Sequence, residues 1–362
     1  MRVPCCLLTL LALTIIAAGC RTPAPKVDPM LSVHTLLPEP NNFLEQRIGS
    51  NEYPIPPYAK YLAGVKICLD PGHGGDAHKA GFKRGPTGVR EAEMNLRIAR
   101  YLQALLETTG AEVLLTRDGD EEVSLADRAA IANEWGADLF ISLHHNAIDN
   151  KPQVNRTSVW YHSDVDYRPA NLDLARYLWH GLHDSLALPQ ITGVPLKSDN
   201  LMYDRGFGIL RHADVTAALC ESSFFTNPDE EQRLRDPEYN LLEAYGIFIG
   251  LAKYAYAGLP RVNVTGLVAG ISTGEPDQLF LELDDGLRAR KSWGSERQMI
   301  LTSSITIRID GEHVPYTFIN DGYILRVELP TPLQPGPHAV EVQFQNMFKN
   351  SVLNPHFVID AP

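Results

Sequence analysis

The stretch VKICLDPGHGG, residues 65–75, joins an apolar strand to a glycine-rich turn that holds a histidine. The run VKICLD predicts a short buried strand, and Pro71 and Gly72 end it. Gly74 and Gly75 then leave the backbone free to adopt open conformations around His73. A histidine in this setting is either an ordinary loop residue or a ligand, so the rest of the chain has to decide between the two.

Strands and helices alternate beyond this turn. Met94 and Ile98 lie on one apolar helical stripe that Gly110 ends, and Ser124 and Asp127 form a capping-box pair at the start of the next helix. The predicted strands are 65–70, 111–117, 137–146 and 215–221, and the predicted helices are 91–110, 124–136, 169–186, about 228–236 and 238–256. This alternation predicts an α/β domain whose layered sheet is buried between helices on both faces.

The pattern changes after Pro260. The runs SITIRID, YILRVELP and HAVEVQFQ alternate apolar and polar residues with period two, which is typical of strands with one buried face. Asp310-Gly311 and Asp321-Gly322 are favourable turn pairs between them. We therefore predict an α/β domain over residues 61–258 and a smaller all-β, sandwich-like domain over residues 261–362.

The N-terminus has the features of an export signal. Arg2 precedes an apolar run that is too short to cross a membrane, and AAGC (17–20) resembles a bacterial lipobox. The resemblance implies that residues 1–20 are a lipoprotein signal peptide and that Cys20 carries the lipid; ordinary cleavage near Gly19 is the alternative. Residues 21–60 hold eight prolines and are predicted to be an extended tether. We expect a lipid-anchored protein on the periplasmic face of the cell envelope. Arg21 favours the outer membrane where two membranes exist.

The net charge and the cysteine content restrict which class of protein the chain can belong to. The net charge of -12 argues against nucleic-acid binding, because phosphate contacts need clustered lysine and arginine. Only Cys68 and Cys220 remain in the body of the chain, each in an apolar strand-like run. We expect buried free thiols, with a disulfide between neighbouring strands as the alternative.

Residues with metal-binding chemistry follow three of the predicted strands. In open α/β sheets, functional sites gather outside the carboxyl ends of the strands. Two imidazoles and one carboxylate suit a zinc site with an open fourth position, and a further carboxylate could act as a general base. The candidates are His73, Glu91 at the start of a helix, His144 or its neighbour His145, and Glu221. Each residue has an ordinary alternative. Periodicity does not choose between the two adjacent histidines, Glu91 could be a favourable helix-terminal charge, and Glu221 could pair with an arginine such as Arg211.

Five ordered motifs resemble those of the zinc-dependent N-acetylmuramoyl-L-alanine amidases, the amidase type 3 family. They span about residues 65–256 and read LDPGHGG, GVREAEMNLRIA, LLTRDGDEEVSLADRAAIAN, ADLFISLHHNA and LCESSFFTNPDEEQRL. The resemblance implies that Zn²⁺ is the cofactor, bound by His73, Glu91 and His144, and that Glu221 is the catalytic residue. It also implies structural roles for Asn146 and Asn227, and for Asp70 a role in ordering the loop or bonding to a ligand histidine. The chain departs from the family at Ser223, where a glycine is usual, and at His145, where a small residue is common.

The resemblance implies a peptidoglycan hydrolase that cleaves the amide between the lactyl group of N-acetylmuramic acid and L-alanine. Peptidoglycan is then the expected partner, together with the membrane through the lipid on Cys20; an activator protein is not specified. One alternative is a zinc peptidase acting on the stem peptide, because the site chemistry would be the same. The other is a non-catalytic, wall-binding or regulatory lipoprotein, although no ligand or base is lost. Residues 151–214 match the family poorly, and in some relatives this region blocks the site.

Overall fold

The computed structural model describes residues 35–361, apart from residues 80, 190–193, 269–276, 295–296, 320–323 and 330–332. The predicted signal peptide with Cys20, the first part of the predicted tether (21–34) and the turn pair Asp321-Gly322 therefore lie outside the described residues. Within the described part, no helix combines the length and the apolar character needed to span a bilayer.

Seven helices and six strands of the described chain precede residue 260. The helices are α1 (Phe43–Arg47), α2 (Glu91–Glu107), α3 (Leu125–Trp135), α4 (Ala170–Leu186), α5 (Gly208–Arg211), α6 (Pro228–Leu234) and α7 (Pro237–Tyr256). The strands are β1 (Lys66–Pro71), β2 (Glu112–Leu115), β3 (Leu139–Asn146), β4 (Ser158–Tyr161), β5 (Leu196–Ser198) and β6 (Thr216–Phe224). The predicted cap of α3 is present, since the Asp127 N–H donates to Ser124 Oγ at 3.2 Å.

The six strands form one sheet in the order β2-β1-β3-β6-β4-β5. The first four are parallel, so their carboxyl ends meet at the same edge of the sheet. β4 runs antiparallel to β6, and Ser158 at its start lies opposite Glu221. The sequence analysis did not predict β4 and β5, because they are too short to show a period. β4 nevertheless matters, because its first residue reaches the edge where the parallel strands end.

Both faces of the sheet are covered, as predicted. Helices α2, α4 and α7 pack on one face, where Ile98, Leu178 and Ile247 are fully buried. The short helix α5 and α3 cover the other face. Successive strand residues point to opposite faces, so Cys68 contributes to the second core and Cys220 to the first. Both cysteines are buried and free, and β3 separates their strands, so the alternative of a disulfide is wrong.

The described residues after 260 form two four-stranded sheets, which confirms the predicted all-β region. One has the order β10-β9-β13-β14 and the other β11-β12-β8-β7. Asp310 (φ 52°) and Gly311 (φ 84°) make the predicted tight turn between β9 and β10. The strands are β7 (Arg261–Val268), β8 (Gln278–Asp284), β9 (Thr306–Ile309), β10 (Glu312–His313), β11 (Tyr316–Ile319), β12 (Ile324–Glu328), β13 (Gly336–Gln343) and β14 (His356–Ala361).

The β region is fixed to the α/β region by buried hydrogen bonds. Asn346 Nδ2 donates to the Ala257 carbonyl at 2.8 Å, and the Ser351 N–H donates to Asp173 Oδ2 at 2.8 Å. Thr216 Oγ1 at the start of β6 also donates to the Leu353 carbonyl at 2.6 Å. These contacts place the β region at the end of the sheet where β6 begins, away from the edge where the parallel strands end.

The prediction of an extended tether is wrong for residues 35–60. This segment packs along α2 and α7, because its apolar side chains outweigh the effect of its prolines. Phe43 is 5% exposed and lies 5.8 Å from Tyr101, measured between ring centroids. At its start, Thr35 donates to Glu93 Oε2 from both its N–H (2.9 Å) and its Oγ1 (2.6 Å), and Thr35 Oγ1 accepts from the Arg90 N–H. The segment is therefore part of the folded domain.

Phe43→Ala is expected to lower the free energy of unfolding by about 3 kcal/mol, because it removes a buried aromatic ring and leaves a cavity against Tyr101. Chemical denaturation monitored by circular dichroism would measure this. The matched control is Leu37→Ala in the same segment, whose side chain is 43% exposed and should cost much less. Equal, negligible losses for both variants would restore the tether interpretation.

Candidate active site

Three predicted ligands meet at the carboxyl edge of the sheet. His73 follows β1, Glu91 begins α2 and His144 lies near the end of β3. Glu91 Oε2 lies 3.1 Å from His73 Nε2, and Glu91 Oε1 lies 3.1 Å from His144 Nδ1. One ligand atom of each residue lies within 4.8 Å of the other two, so a single metal ion could contact all three.

The carboxylate of Glu91 has the properties of a metal ligand. Its side chain is 1% exposed, and Oε1 accepts a hydrogen bond from the His145 N–H at 3.1 Å. Oε2 is buried and accepts no hydrogen bond within the described chain. Burial by itself would raise the pKa of this carboxyl, but the imidazoles of His144 and His73 beside it hold the pKa well below its usual value. An ionised, buried oxygen without a hydrogen bond, next to two imidazoles, fits a bound cation.

The structure distinguishes the two adjacent histidines. His144 reaches the cluster, whereas His145 points to the opposite face of β3, as strand geometry requires. His145 Nδ1 lies 2.9 Å from Asn95 Oδ1 on α2, and its Nε2 lies 3.1 Å from Glu243 Oε2 on α7. Burial tends to lower the pKa of His145, but the charge of Glu243 outweighs it and the pKa is raised. His145 therefore joins three elements beneath the site.

The turn after β1 is shaped to the site. A side chain at Gly72 would place its Cβ 2.2 Å from His144 Cε1, so the imidazole rests directly on this glycine. His73 adopts the left-handed conformation (φ 60°), which is uncommon for residues other than glycine. Gly74 (φ 121°) passes so close to the Glu121 carbonyl that a Cβ there would lie 2.4 Å from it. Gly72 and Gly74 are therefore required by close packing, and Gly74 also by its positive φ.

Two buried arginines hold this turn in place. Arg117 Nη2 donates to the Gly72 carbonyl at 2.9 Å, and Arg128 Nη2 donates to the His73 carbonyl at 2.7 Å. Arg128 Nη1 also binds Asp70 Oδ1 at 2.7 Å. Sequence reasoning quoted both arginines within a motif but gave them no role. The signal that could have identified them is their position within the LLTRDGDEEVSLADRAAIAN motif.

Asp70 orders the loop and does not bond to a histidine, so one of its two suggested roles is wrong. Besides Arg128, it accepts hydrogen bonds from Thr116 Oγ1 and Ser142 Oγ, both at 2.6 Å. Burial raises the pKa of Asp70, but the Arg128 cation and these hydroxyls outweigh it and lower the pKa. The ionised carboxylate therefore fixes Arg128, which in turn fixes the carbonyl of His73.

The two asparagines of the motifs make structural contacts near the site. The Asn146 carbonyl accepts from the Phe225 N–H at 3.0 Å, which ties β3 to the end of β6. Asn227 caps α6 through a bond from the Glu230 N–H at 3.0 Å, and its Nδ2 donates to the Pro152 carbonyl at 2.8 Å. Neither side chain is part of the His73–Glu91–His144 cluster.

Glu221 lies directly beside the cluster. It is the register partner of His144 across the β3–β6 pair. Its Oε2 is buried without a hydrogen bond from any described residue, and Arg211 donates instead to the carbonyls of Arg205 and Gly206. The suggested pairing of Glu221 with Arg211 is therefore absent. Burial, and next the charge of Glu91, raise the pKa of Glu221 to about 8. This carboxyl can exchange a proton near neutral pH.

Glu221→Gln is expected to stabilise the metal-free protein at pH 8. The folded-state pKa is about 8 and the ordinary value is 4.5, so the folded wild type retains a proton that the unfolded chain loses in this window. Wild-type stability should therefore fall as pH rises from about 4.5 to 8, whereas glutamine has no proton to lose. We expect a gain of a few kcal/mol at pH 8, since one pKa unit is worth about 1.36 kcal/mol.

Urea denaturation of chelator-treated protein at several pH values would test this. The gain should shrink steadily toward pH 4.5, and Glu112→Gln, at an exposed position on β2, should show no such trend. A gain that stays constant with pH would contradict a raised pKa at Glu221.

In comparisons with known proteins, the matched part of the chain contains the candidate site. The sequence model of the family described as N-acetylmuramoyl-L-alanine amidase matches residues 67–253, just over half of the chain. The chain is 30% identical over 198 residues to a "Probable cell wall amidase LytH" of Staphylococcus epidermidis, covering 53% of this chain and 59% of that protein's length. It is 29% identical over 235 residues to the "N-acetylmuramoyl-L-alanine amidase AmiA" of Escherichia coli, covering 55% of this chain and 79% of that protein. The solved structure of an amidase, AmiC2 of Nostoc punctiforme, superposes with a TM-score of 0.45 at 30% identity, covering 53% of this chain and 98% of that one.

Proposed function

The chain belongs to the N-acetylmuramoyl-L-alanine amidase family, and from this we propose that it hydrolyses peptidoglycan at the amide between the lactyl group of N-acetylmuramic acid and L-alanine. The observation that carries the proposal is the cluster of His73, Glu91 and His144 with Glu221 as its neighbour in register. The four residues come from four elements that only the folded sheet brings together. The cluster fits metal-assisted hydrolysis with a separate proton carrier.

We propose Zn²⁺ as the ion, held by His73, Glu91 and His144, where it would polarise the substrate carbonyl and bring the pKa of a water toward ~7. The two imidazoles must be neutral to bind, and burial lowers the pKa of His144, which favours that form. Arg117 and Arg128 keep the His73 loop in position through its carbonyls. Glu91 supplies the negative charge that a dication needs.

Glu221 would carry the proton. As a carboxylate it accepts the proton of the attacking water, and as an acid it donates that proton to the amine of L-alanine. Its pKa of about 8 is raised partly by the charge of Glu91. With a cation held at Glu91, that charge would be offset and the pKa of Glu221 would fall toward neutrality, where both proton transfers are accessible.

The test is mass spectrometry of purified peptidoglycan digested with residues 35–362, which retain the segment packed on α2. Free stem peptides that begin with L-alanine would support the proposal. Products cut inside the stem peptide would instead support a peptidase with the same site. Binding to peptidoglycan without any released product would support a non-catalytic, wall-binding protein.

We further propose that the protein is lipid-anchored in the cell envelope through Cys20, on the periplasmic face. The support is the sequence alone: a short apolar run that ends in AAGC. Cell fractionation of the full chain and of Cys20→Ala would test it. The wild type should sediment with membranes, and the variant should not; identical membrane retention of both would contradict a lipid on Cys20.

A further inference from the structure

Two cations near Glu221 form no ion pair with a carboxylate of any described residue. The guanidinium of Arg156 lies 5.3 Å from the centroid of the Phe224 ring, and Lys197 Nζ lies 5.0 Å from the centroid of a Trp160 ring. Both residues are half-buried. Neither side chain makes a hydrogen bond or an ion pair with any described residue.

Strand register puts both cations on the side of the sheet that Glu221 faces. Lys197 on β5 is the register partner of Trp160, and Trp160 is the partner of Leu219 on β6. Leu219 and Glu221 are two positions apart on β6 and so share a face. Arg156 comes two residues before Ser158, the register partner of Glu221. Arg156 and Glu221 both act on the pKa of Lys197, which burial, and next the Arg156 charge, lower overall.

Two buried arginines of this chain form ion pairs with carboxylates. Arg90 binds Asp76 at 2.6 Å and Asp120 at 2.7 Å, and Arg128 binds Asp70 at 2.7 Å. Arg117 is compensated instead by backbone carbonyls, because removing a charge from water is costly unless partners of one kind or the other compensate it. In a chain with 44 acidic residues and 32 basic ones, carboxylates are not scarce. Cations kept half-buried and unpaired at a site are candidates for binding an anionic ligand.

We infer that Arg156 and Lys197 form an anion subsite that binds a carboxylate of the stem peptide during hydrolysis. This inference rests on the proposed function. In the proposed substrate the lactyl carboxyl is already tied up in the amide bond, so the free carboxylates all lie on the peptide side of that bond. The subsite would therefore bind the leaving peptide and hold its amine within reach of Glu221. Charge-assisted hydrogen bonds of this kind also select peptides with a free carboxylate over amidated ones.

The experiment compares two synthetic N-acetylmuramoyl peptides that differ only in whether the carboxylate of the second amino acid is free or amidated. For the wild type we expect kcat/KM to be about 10- to 100-fold higher with the free carboxylate, mainly through a lower KM. Lys197→Met and Arg156→Met should each lose most of this preference, measured as the ratio of kcat/KM on the two peptides, so that a rate change shared by both peptides leaves the ratio unaffected. Lys197→Arg should retain the preference, because it keeps a cation. Lys253→Met, on the outside of α7, is the control and should behave as the wild type.

Three results would overturn the inference. The wild type could hydrolyse both peptides equally, which would show that the carboxylate is not recognised. Lys197→Met and Arg156→Met could lose activity on both peptides alike, which would indicate a structural role. The wild type could cleave neither peptide at the lactyl amide, in which case the proposed function fails first and the subsite fails with it.

Discussion

Glu221→Gln is expected to lower kcat for the release of stem peptides by about 10²–10⁴-fold, which is the usual contribution of a positioned acid–base group. Glutamine has nearly the same shape but can neither accept nor donate the proton. Because Glu221 Oε2 makes no hydrogen bond within the described chain, the substitution breaks no internal contact of that atom. The loss should therefore appear in kcat, measured by chromatography of released peptides, and not in folding.

Measuring the metal content would distinguish a catalytic role of Glu221 from a structural one. Metal content, measured by elemental analysis after dialysis, should be the same in Glu221→Gln and in the wild type, because His73, Glu91 and His144 are untouched. Glu112→Gln, at the exposed first position of β2, should keep both activity and metal. Loss of metal together with activity would mean that Glu221 acts as a ligand, and full activity would exclude it as the base.

Gly72→Ala is expected to destroy the proposed metal site by adding a single methyl group. The added Cβ would lie 2.2 Å from His144 Cε1 and 2.3 Å from its Nε2, distances that no real contact shows. The Gly72 backbone does not need a positive φ, so the effect is steric and not conformational. The ring of His144 must move, and the cluster loses one of its ligands. We expect zinc affinity to fall by at least 10-fold and activity to fall with it, as measured by competition with a chromogenic chelator.

Gly266→Ala provides the matched control. It introduces the same methyl group on β7, where the nearest atom, Phe280 Cδ2, would lie at an ordinary 3.7 Å. This variant should bind zinc as the wild type does. Gly72→Ala with unchanged zinc affinity would show that His144 can leave its observed position without cost to the site.

Long periodic elements could be predicted from the sequence, and short or context-dependent ones could not. The apolar strand β3 and the stripe of α2 have enough residues to show a pattern, whereas β4 and β5 contain four and three residues. The segment of residues 35–60 was misjudged because its prolines favour extended chain, while the burial of Phe43 and Tyr53 depends on a surface that exists only in the folded domain. The composition of residues 35–60 favours an extended chain, but the packing of its apolar side chains against the folded domain determines its structure.

The same distinction applies to the site. The motifs identify His73, Glu91, His144 and Glu221, although the period of an apolar strand does not by itself say which of two adjacent histidines faces the cluster. The roles of Arg117 and Arg128 were beyond sequence reasoning, because both act on backbone carbonyls of a loop that tertiary structure brings to them. The unpaired state of Arg156 and Lys197 could likewise be recognised only once their surroundings were known.

The hydrogen bonds between Thr35 and the start of α2 have a mechanical consequence. Tension applied at Thr35 would pass through its hydrogen bonds to Arg90 and Glu93, which lie on either side of Glu91, one of the three proposed metal ligands. The load would therefore reach the first turn of α2 before it reached any other helix. Under the proposed anchoring at Cys20, a pull at Thr35 would act beside the proposed metal ligand Glu91, and the strength of the Thr35 hydrogen bonds would set how much pull that position withstands.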